Sequence, residues 1–185
     1  MVFALNQYFR GMGQAVEAAG GHLDKFIGDG VMALFGVEDD LELGCRQALA
    51  AAAGMAQALE HLNEQLRHDL DQPLRMGIGV HAGAAIVGEM GYGPATSVTA
   101  VGDIVNTASR LETMTKEFTV QAVISSFVAE RAGADLSAFE VRQITVRGRA
   151  ETMAVHLVPD ARNLPGVEAN AQKRRRGRVR VKAPA

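Results

Sequence analysis

The chain has no tryptophan, two tyrosines and seven phenylalanines, so aromatic residues make up 5% of its 185 positions. A core must therefore be assembled from aliphatic side chains and alanine, which the 48% hydrophobic content permits. The single cysteine, Cys45, excludes an internal disulfide and suits a reducing compartment. In its alanine-rich apolar stretch it reads as a small core residue, not as a nucleophile. No apolar run approaches the roughly 20 residues needed to cross a bilayer. The opening MVFALNQYFRGMGQAVEAAG lacks a basic leader and a cleavage site, so a cytoplasmic location is expected. No P-loop occurs. His22, His61, His68, His81 and His156 show neither metal-ligand spacing nor a serine or cysteine partner pattern.

Charge is scarce in sum but not in distribution. The net −2 combines a basic run, KRRRGRVRVK at 173–182, which holds seven of the 19 Lys and Arg, with a remainder of 12 basic and 21 acidic residues, or −9. Such a run can bind phosphates of nucleic acid or an anionic membrane surface. The competing reading is a solvated, disordered terminus. From Pro159 onward periodicity stops, and residues 159–185 are expected to form a basic, disordered tail behind a domain spanning 1–158.

Along that domain, Leu5, Phe9, Met12 and Val16 recur at helical spacing up to Gly20-Gly21. His22–Ile27 alternates, putting Leu23, Lys25 and Ile27 on one face with Asp24 turned away. Val31–Phe35 follows as a second strand of a hairpin. A long helix is expected over 40–68, with a stripe of Leu41, Cys45, Ala48, Ala52, Met55, Leu59, Leu62 and Leu66. Leu74–Ala82 alternates with Gly77, Gly79 and Gly83, a pattern that predicts close approach of another backbone or a ligand. A loop, MGYGPATS, leads to a short strand at 98–101. A helix then spans 103–118, with Asp103 as cap. A strand near 120–124, a helix over 126–132 and a hairpin of 140–146 with 153–158 complete the pattern. Hairpins dominate, so the fold expected is α+β with a mainly antiparallel sheet.

Two constellations carry chemistry. In LDKFIGDGVMALFG, Asp29 lies between Gly28 and Gly30, whose missing side chains leave room for phosphate oxygens or a cation. Magnesium accepts such a site, with one or two carboxylates completed by phosphates and water. A plain hairpin turn explains the same residues. In VGDIVNTASRLE, Ile104, Ala108, Leu111 and Thr115 form a buried stripe. Asn106 and Arg110, one turn apart, lie nearly opposite it. They are either a solvated face or an amide and a guanidinium converging on an anion. GIGVHAG at 77–83 looks like a dinucleotide loop, but it lies within a strand and carries little weight.

Taken together, LDKFIGDGVMALFG, GVHAGAAIVGEMG and AVGDIVNTASRLE, in this order and spacing, resemble the catalytic domain of class III adenylate and guanylate cyclases over about residues 1–158. The resemblance implies a ferredoxin-like cyclase fold and conversion of ATP to 3′,5′-cyclic AMP and pyrophosphate in intracellular signalling. It implies Asp29 as a ligand of a pair of Mg²⁺ (or Mn²⁺) ions, with Gly28 and Gly30 at the substrate. Lys25 and Thr99 are implied as adenine readers, since a guanylate cyclase is expected to carry glutamate at the lysine position. Asn106 and Arg110 are implied as the catalytic pair, and Arg147 or Arg149 as ligand of the terminal phosphates. It further implies a homodimer with active sites at the interface, and an upstream sensor domain as a partner. The family's first metal aspartate belongs to a segment resembling F-x-D-I-R-G-F-T ahead of the first helix, and this sequence starts within that helix. Impaired activity is therefore expected, and a catalytically inactive, nucleotide-binding or dimerising regulator is the alternative.

Overall fold

The computed structural model describes residues 2–38, 40–92, 96–145 and 152–165. Helix α1 (Val2–Ala18) buries Met12 and Val16 against α2 (Leu41–Leu66). Close packing there rests on small residues: a Cβ on Gly11 would lie 3.5 Å from that of Ala58, and one on Gly54 3.4 Å from that of Ala15. The α2 positions Cys45, Leu49, Ala52, Ala53 and Ala56 belong to the core cluster shared with the sheet and the later helices. Burial pushes the Cys45 thiol up from its usual pKa, as suits an inert core side chain. Asp40 caps α2, its carboxylate accepting from the Leu43 amide at 2.6 Å. Leu41, expected in the stripe, is exposed because it stands in the first turn, beyond the reach of the core.

Strands β1 (His22–Ile27) and β2 (Gly30–Leu34) form an antiparallel hairpin. A four-stranded sheet has the order β3 (Ile78–Val80), β6 (Ala122–Ser125), β8 (Thr152–Val158), β7 (Glu140–Thr145). A second hairpin joins β4 (Ile86–Met90) to β5 (Ser97–Val101). Among the described residues only the pairing of β3 with β6 is parallel, so the expected antiparallel character holds. Helix α3 (Asp103–Phe118) lies on β3 and β6, and α4 (Ser126–Ala132) packs on α2. The core sits between the sheet and α2–α4, with Ile78, Ala122, Ile124, Val128 and Val158 in one cluster. Leu111, Val123, Val155 and Leu157 form another under α3.

The glycines of the 74–82 segment explain the seat of α3. A Cβ on Gly79 would fall 2.2 Å from the Ala108 carbonyl oxygen and 2.4 Å from the Glu112 amide nitrogen; one on Gly77 would meet Thr115 Oγ1. The helix backbone rests directly on the strand, so the glycine face serves packing and the dinucleotide-loop reading is discarded.

Three expectations need correction. The strand predicted over 74–82 is regular only at 78–80, since α3 occupies one of its faces and the rest runs without ladder partners among the described residues. Asp103 is not the cap of α3: Gly102 holds that position without a side-chain hydrogen bond, and Asp103 opens the helix. The tail does not begin at 159. Asp160 caps a 3-10 turn (Ala161–Asn163) by accepting from Arg162, and Ala161 and Leu164 are buried against the α2 cluster. Arg162 also pairs with Glu60 of α2 at 3.6 Å. The basic run at 173–182 lies outside the described residues.

Candidate active site

Asp29 stands at the tip of the β1–β2 hairpin. Ile27 pairs with Gly30, leaving a two-residue loop of Gly28 and Asp29, and Gly28 takes φ +64°. A left-handed first loop residue matches the right-handed twist of the strands and is what glycine allows there. The carboxylate is exposed, and a Cβ on Gly28 would meet nothing within 4 Å, so the tip is open on that side. The hairpin is held from behind by Phe26, whose ring lies 4.3 Å from that of Phe9 on α1.

Tyr8, also on α1, lies within electrostatic reach of this tip. Its own burial first, and then the Asp29 and Glu112 carboxylates, raise the phenol above its usual 10.0. Tyr8 is thus a neutral hydroxyl that feels both carboxylates, and sequence periodicity had singled out only its neighbour Phe9.

Lys25 and Thr99, 74 positions apart, are in contact: Lys25 Nζ donates to Thr99 Oγ1 at 2.6 Å. The expectation that Asp24 turns away from Lys25 fails. The register slips between Leu23 and Lys25, so Asp24 occupies a β-bulge and alternation is lost there. Asp24 Oδ2 accepts from the Thr99 hydroxyl at 2.5 Å and from Lys25 at 3.1 Å. A charged residue next to Lys25 in an otherwise apolar strand was the one available hint.

Asn106 and Arg110 project from α3, Asn106 exposed and Arg110 half-buried, while Thr107, Leu111 and Thr115 are the buried positions. The exposed-face prediction therefore holds for Asn106 and only partly for Arg110, and Thr107 replaces Ile104 and Ala108 in the deeply buried stripe. Arg147 and Arg149 lie outside the described residues. Residue spacing suggested no serine or cysteine partner for the histidines, yet His81 Nδ1 lies 3.0 Å from Ser125 Oγ. Ser125 is completely buried, which makes this a core hydrogen bond and not a nucleophile pair.

The arrangement thus offers an exposed carboxylate on an open turn, a donor and a hydroxyl side by side on neighbouring hairpins, and an amide–guanidinium pair on a helix face. Residues 1–159 match the family described as the adenylate and guanylate cyclase catalytic domain. The chain belongs to this family. Its α+β architecture is that of the nucleotide cyclase catalytic domain, as solved relatives confirm. The chain is similar to the guanylyl cyclase Cya2, with a TM-score of 0.75 at 31% identity, covering 91% of this chain and 83% of that one. It is also similar to the adenylyl cyclase CyaB from P. aeruginosa, with a TM-score of 0.73 at 26% identity, covering 89% and 85%. An adenylate cyclase of Anabaena cylindrica is 35% identical over 162 residues, which are 83% of this chain and 31% of that protein. The chain spans under a third of the length of the curated relatives it matches. Among its described residues no group of three or more His, Cys, Asp or Glu side chains could hold a metal ion, and no helix is long and apolar enough to cross a membrane.

Proposed function

We propose that this domain converts ATP to 3′,5′-cyclic AMP and pyrophosphate as part of a signalling protein, and that it works as a head-to-tail homodimer. The observation that supports this most is the contact of Lys25 with Thr99 across two hairpins, which forms a base-reading pair of the adenine type. Lys25 supplies a donor for a ring nitrogen, and Thr99 an oxygen for an exocyclic amine. In the reaction the ribose 3′-hydroxyl attacks the α-phosphorus in line and pyrophosphate leaves. Asn106 orients the ribose, and Arg110 meets the negative charge that grows on the α-phosphoryl oxygens. Arg147 or Arg149 is assigned to the terminal phosphates.

Asp29 fits a divalent cation as one exposed carboxylate on an open turn, with substrate phosphates and water as the remaining ligands. A bound Mg²⁺ or Mn²⁺ would lower the pKa of the attacking hydroxyl and neutralise the triphosphate. Asp24 is not available for that task, because it is committed to Thr99 and Lys25. With Asp29 the one acidic side chain at the tip among the described residues, slow turnover is expected of this chain. The same observation favours a second reading, a nucleotide-binding regulator without turnover.

The placement of the parts on separate elements supports the dimer. In the arrangement the family resemblance implies, Asp29 of one copy faces the purine readers and the Asn106–Arg110 pair of the other. Exposed Ile27, Ile86 and Val101 on the hairpins supply an apolar surface for a second copy to cover.

The test is ATP binding and cyclic AMP formation by the purified chain with Mg²⁺ or Mn²⁺. Micromolar to millimolar ATP binding with slow turnover is expected, and Arg110→Ala should lower the turnover by ~10²–10³. Binding without any turnover would select the regulator. Absence of nucleotide binding would overturn both readings.

A further inference from the structure

The Asp24 side chain, at the candidate site, has no solvent exposure at all. Burying a charge is unfavourable unless its oxygens are engaged. Oδ2 accepts from both Thr99 and Lys25, while Oδ1 sits 3.0 Å from Lys25 Nζ as a charge partner without hydrogen-bond geometry. Lys25 reaches back to Thr99, which closes a three-membered ring of contacts.

The ring has a chemical consequence. A threonine hydroxyl carries one hydrogen and two lone pairs, a lysine ammonium only donates, and an ionised carboxylate only accepts. With its hydrogen held by Asp24, Thr99 can offer nothing but an acceptor to any further group. Lys25, its side chain 42% exposed, can offer nothing but a donor. The two therefore present a fixed order, donor beside acceptor. Adenine matches that order with the acceptor N1 and the amine on C6. Guanine, held in the same place by its ribose and triphosphate, presents the reverse, with a hydrogen on N1 and an oxygen on C6. A hydroxyl free to rotate could turn its hydrogen toward that oxygen and would tolerate guanine better.

We propose that Asp24 is a positioning residue that fixes the hydrogen of Thr99 and so makes the site select a 6-aminopurine over a 6-oxopurine. The assignment rests on the reading of Lys25 and Thr99 as the base readers. A buried carboxylate that merely tied the β1–β2 hairpin to the β4–β5 hairpin would act on all nucleotides alike.

Competition binding of ATP, GTP and inosine triphosphate in the presence of Mn²⁺ distinguishes the two. The unaltered chain should reject inosine triphosphate about as strongly as GTP, because the 6-position decides and the 2-amino group does not. Inosine triphosphate binding as tightly as ATP would overturn the proposal without any variant. In Asp24→Ala the ATP-to-GTP affinity ratio should fall about tenfold, the size of one correctly oriented hydrogen bond. Asp24→Asn, whose Oδ1 still accepts from Thr99, should keep the ratio within about threefold of the parent. In a Thr99→Val background Asp24→Ala should not change the ratio further, since the effect passes through that hydroxyl. An unchanged ratio in folded Asp24→Ala, with both nucleotides equally weakened, would overturn the assignment while leaving the cyclase reading intact. If the parent chain binds no purine nucleotide, the base-reading site itself falls, and Asp24 with it.

Discussion

At the residue scale, the site is a set of single side chains whose settings differ sharply. Asp29 is open to solvent at a turn, whereas Asp24, five positions earlier, is shut away with a threonine and a lysine. The first setting leaves a carboxylate free to share a cation with phosphates; the second spends it on orienting neighbours. Tyr8 offers a direct probe of Asp29. In Tyr92→Phe, which leaves Tyr8 as the sole tyrosine, phenolate absorbance should report a midpoint above 10.0. Adding Asp29→Asn should lower the midpoint but leave it above 10.0, because burial is the larger cause. The sign for stability follows: the folded state holds the Tyr8 proton more tightly than the unfolded chain. This contribution is complete below the ordinary phenol range and is lost as pH climbs through the raised value. An Asp29→Asn titration that superimposes on the parent would remove Asp29 from the surroundings of Tyr8.

At the scale of elements, much was legible because glycine placement and apolar periodicity have local causes. The GDG turn could be read from residue type alone, since the loop needs one left-handed residue and a short polar one. The extent of α2 followed from its stripe, and the exposed setting of Asn106 followed from the spacing of Leu111 and Thr115. The bulge in β1 was not legible, since alternation assumes an unbroken ladder and one extra residue reverses it. The Lys25–Thr99 contact was also hidden as geometry, being a meeting of two hairpins that are remote in sequence. Residues 161–164 were misread because a short 3-10 turn has no period to detect, although Ala161 and Leu164 have the apolar character to fill the core. The Gly77–Gly79 face was read as a site of close approach, and the approaching backbone is α3. Gly79→Ala should therefore push α3 outward and cost about 1–3 kcal/mol, measurable by chemical unfolding. It should weaken nucleotide binding as well, because α3 carries Asn106 and Arg110. Parent-like stability in Gly79→Ala would mean that α3 is not seated on β3 as described.

At the scale of the whole molecule, the parts of the candidate site are carried by different elements. The hairpin acid belongs to the β1–β2 side, and the amide–guanidinium pair to the outer face of α3. Exposed apolar residues on the hairpins suit burial against a second copy. In the proposed dimer, oligomeric state becomes part of the chemistry, and the substrate would be shared between chains. The central claim is that Asp29 of one copy and Arg110 of the other serve the same nucleotide. Its most direct measurement is tight ATP binding, with Mn²⁺, by an equal mixture of Asp29→Ala and Arg110→Ala chains compared with each variant alone. Random pairing predicts that each variant alone loses tight binding and that the mixture recovers about a quarter of the parent's tight sites, one in each mixed pair. A mixture that binds no better than its components would contradict the shared site.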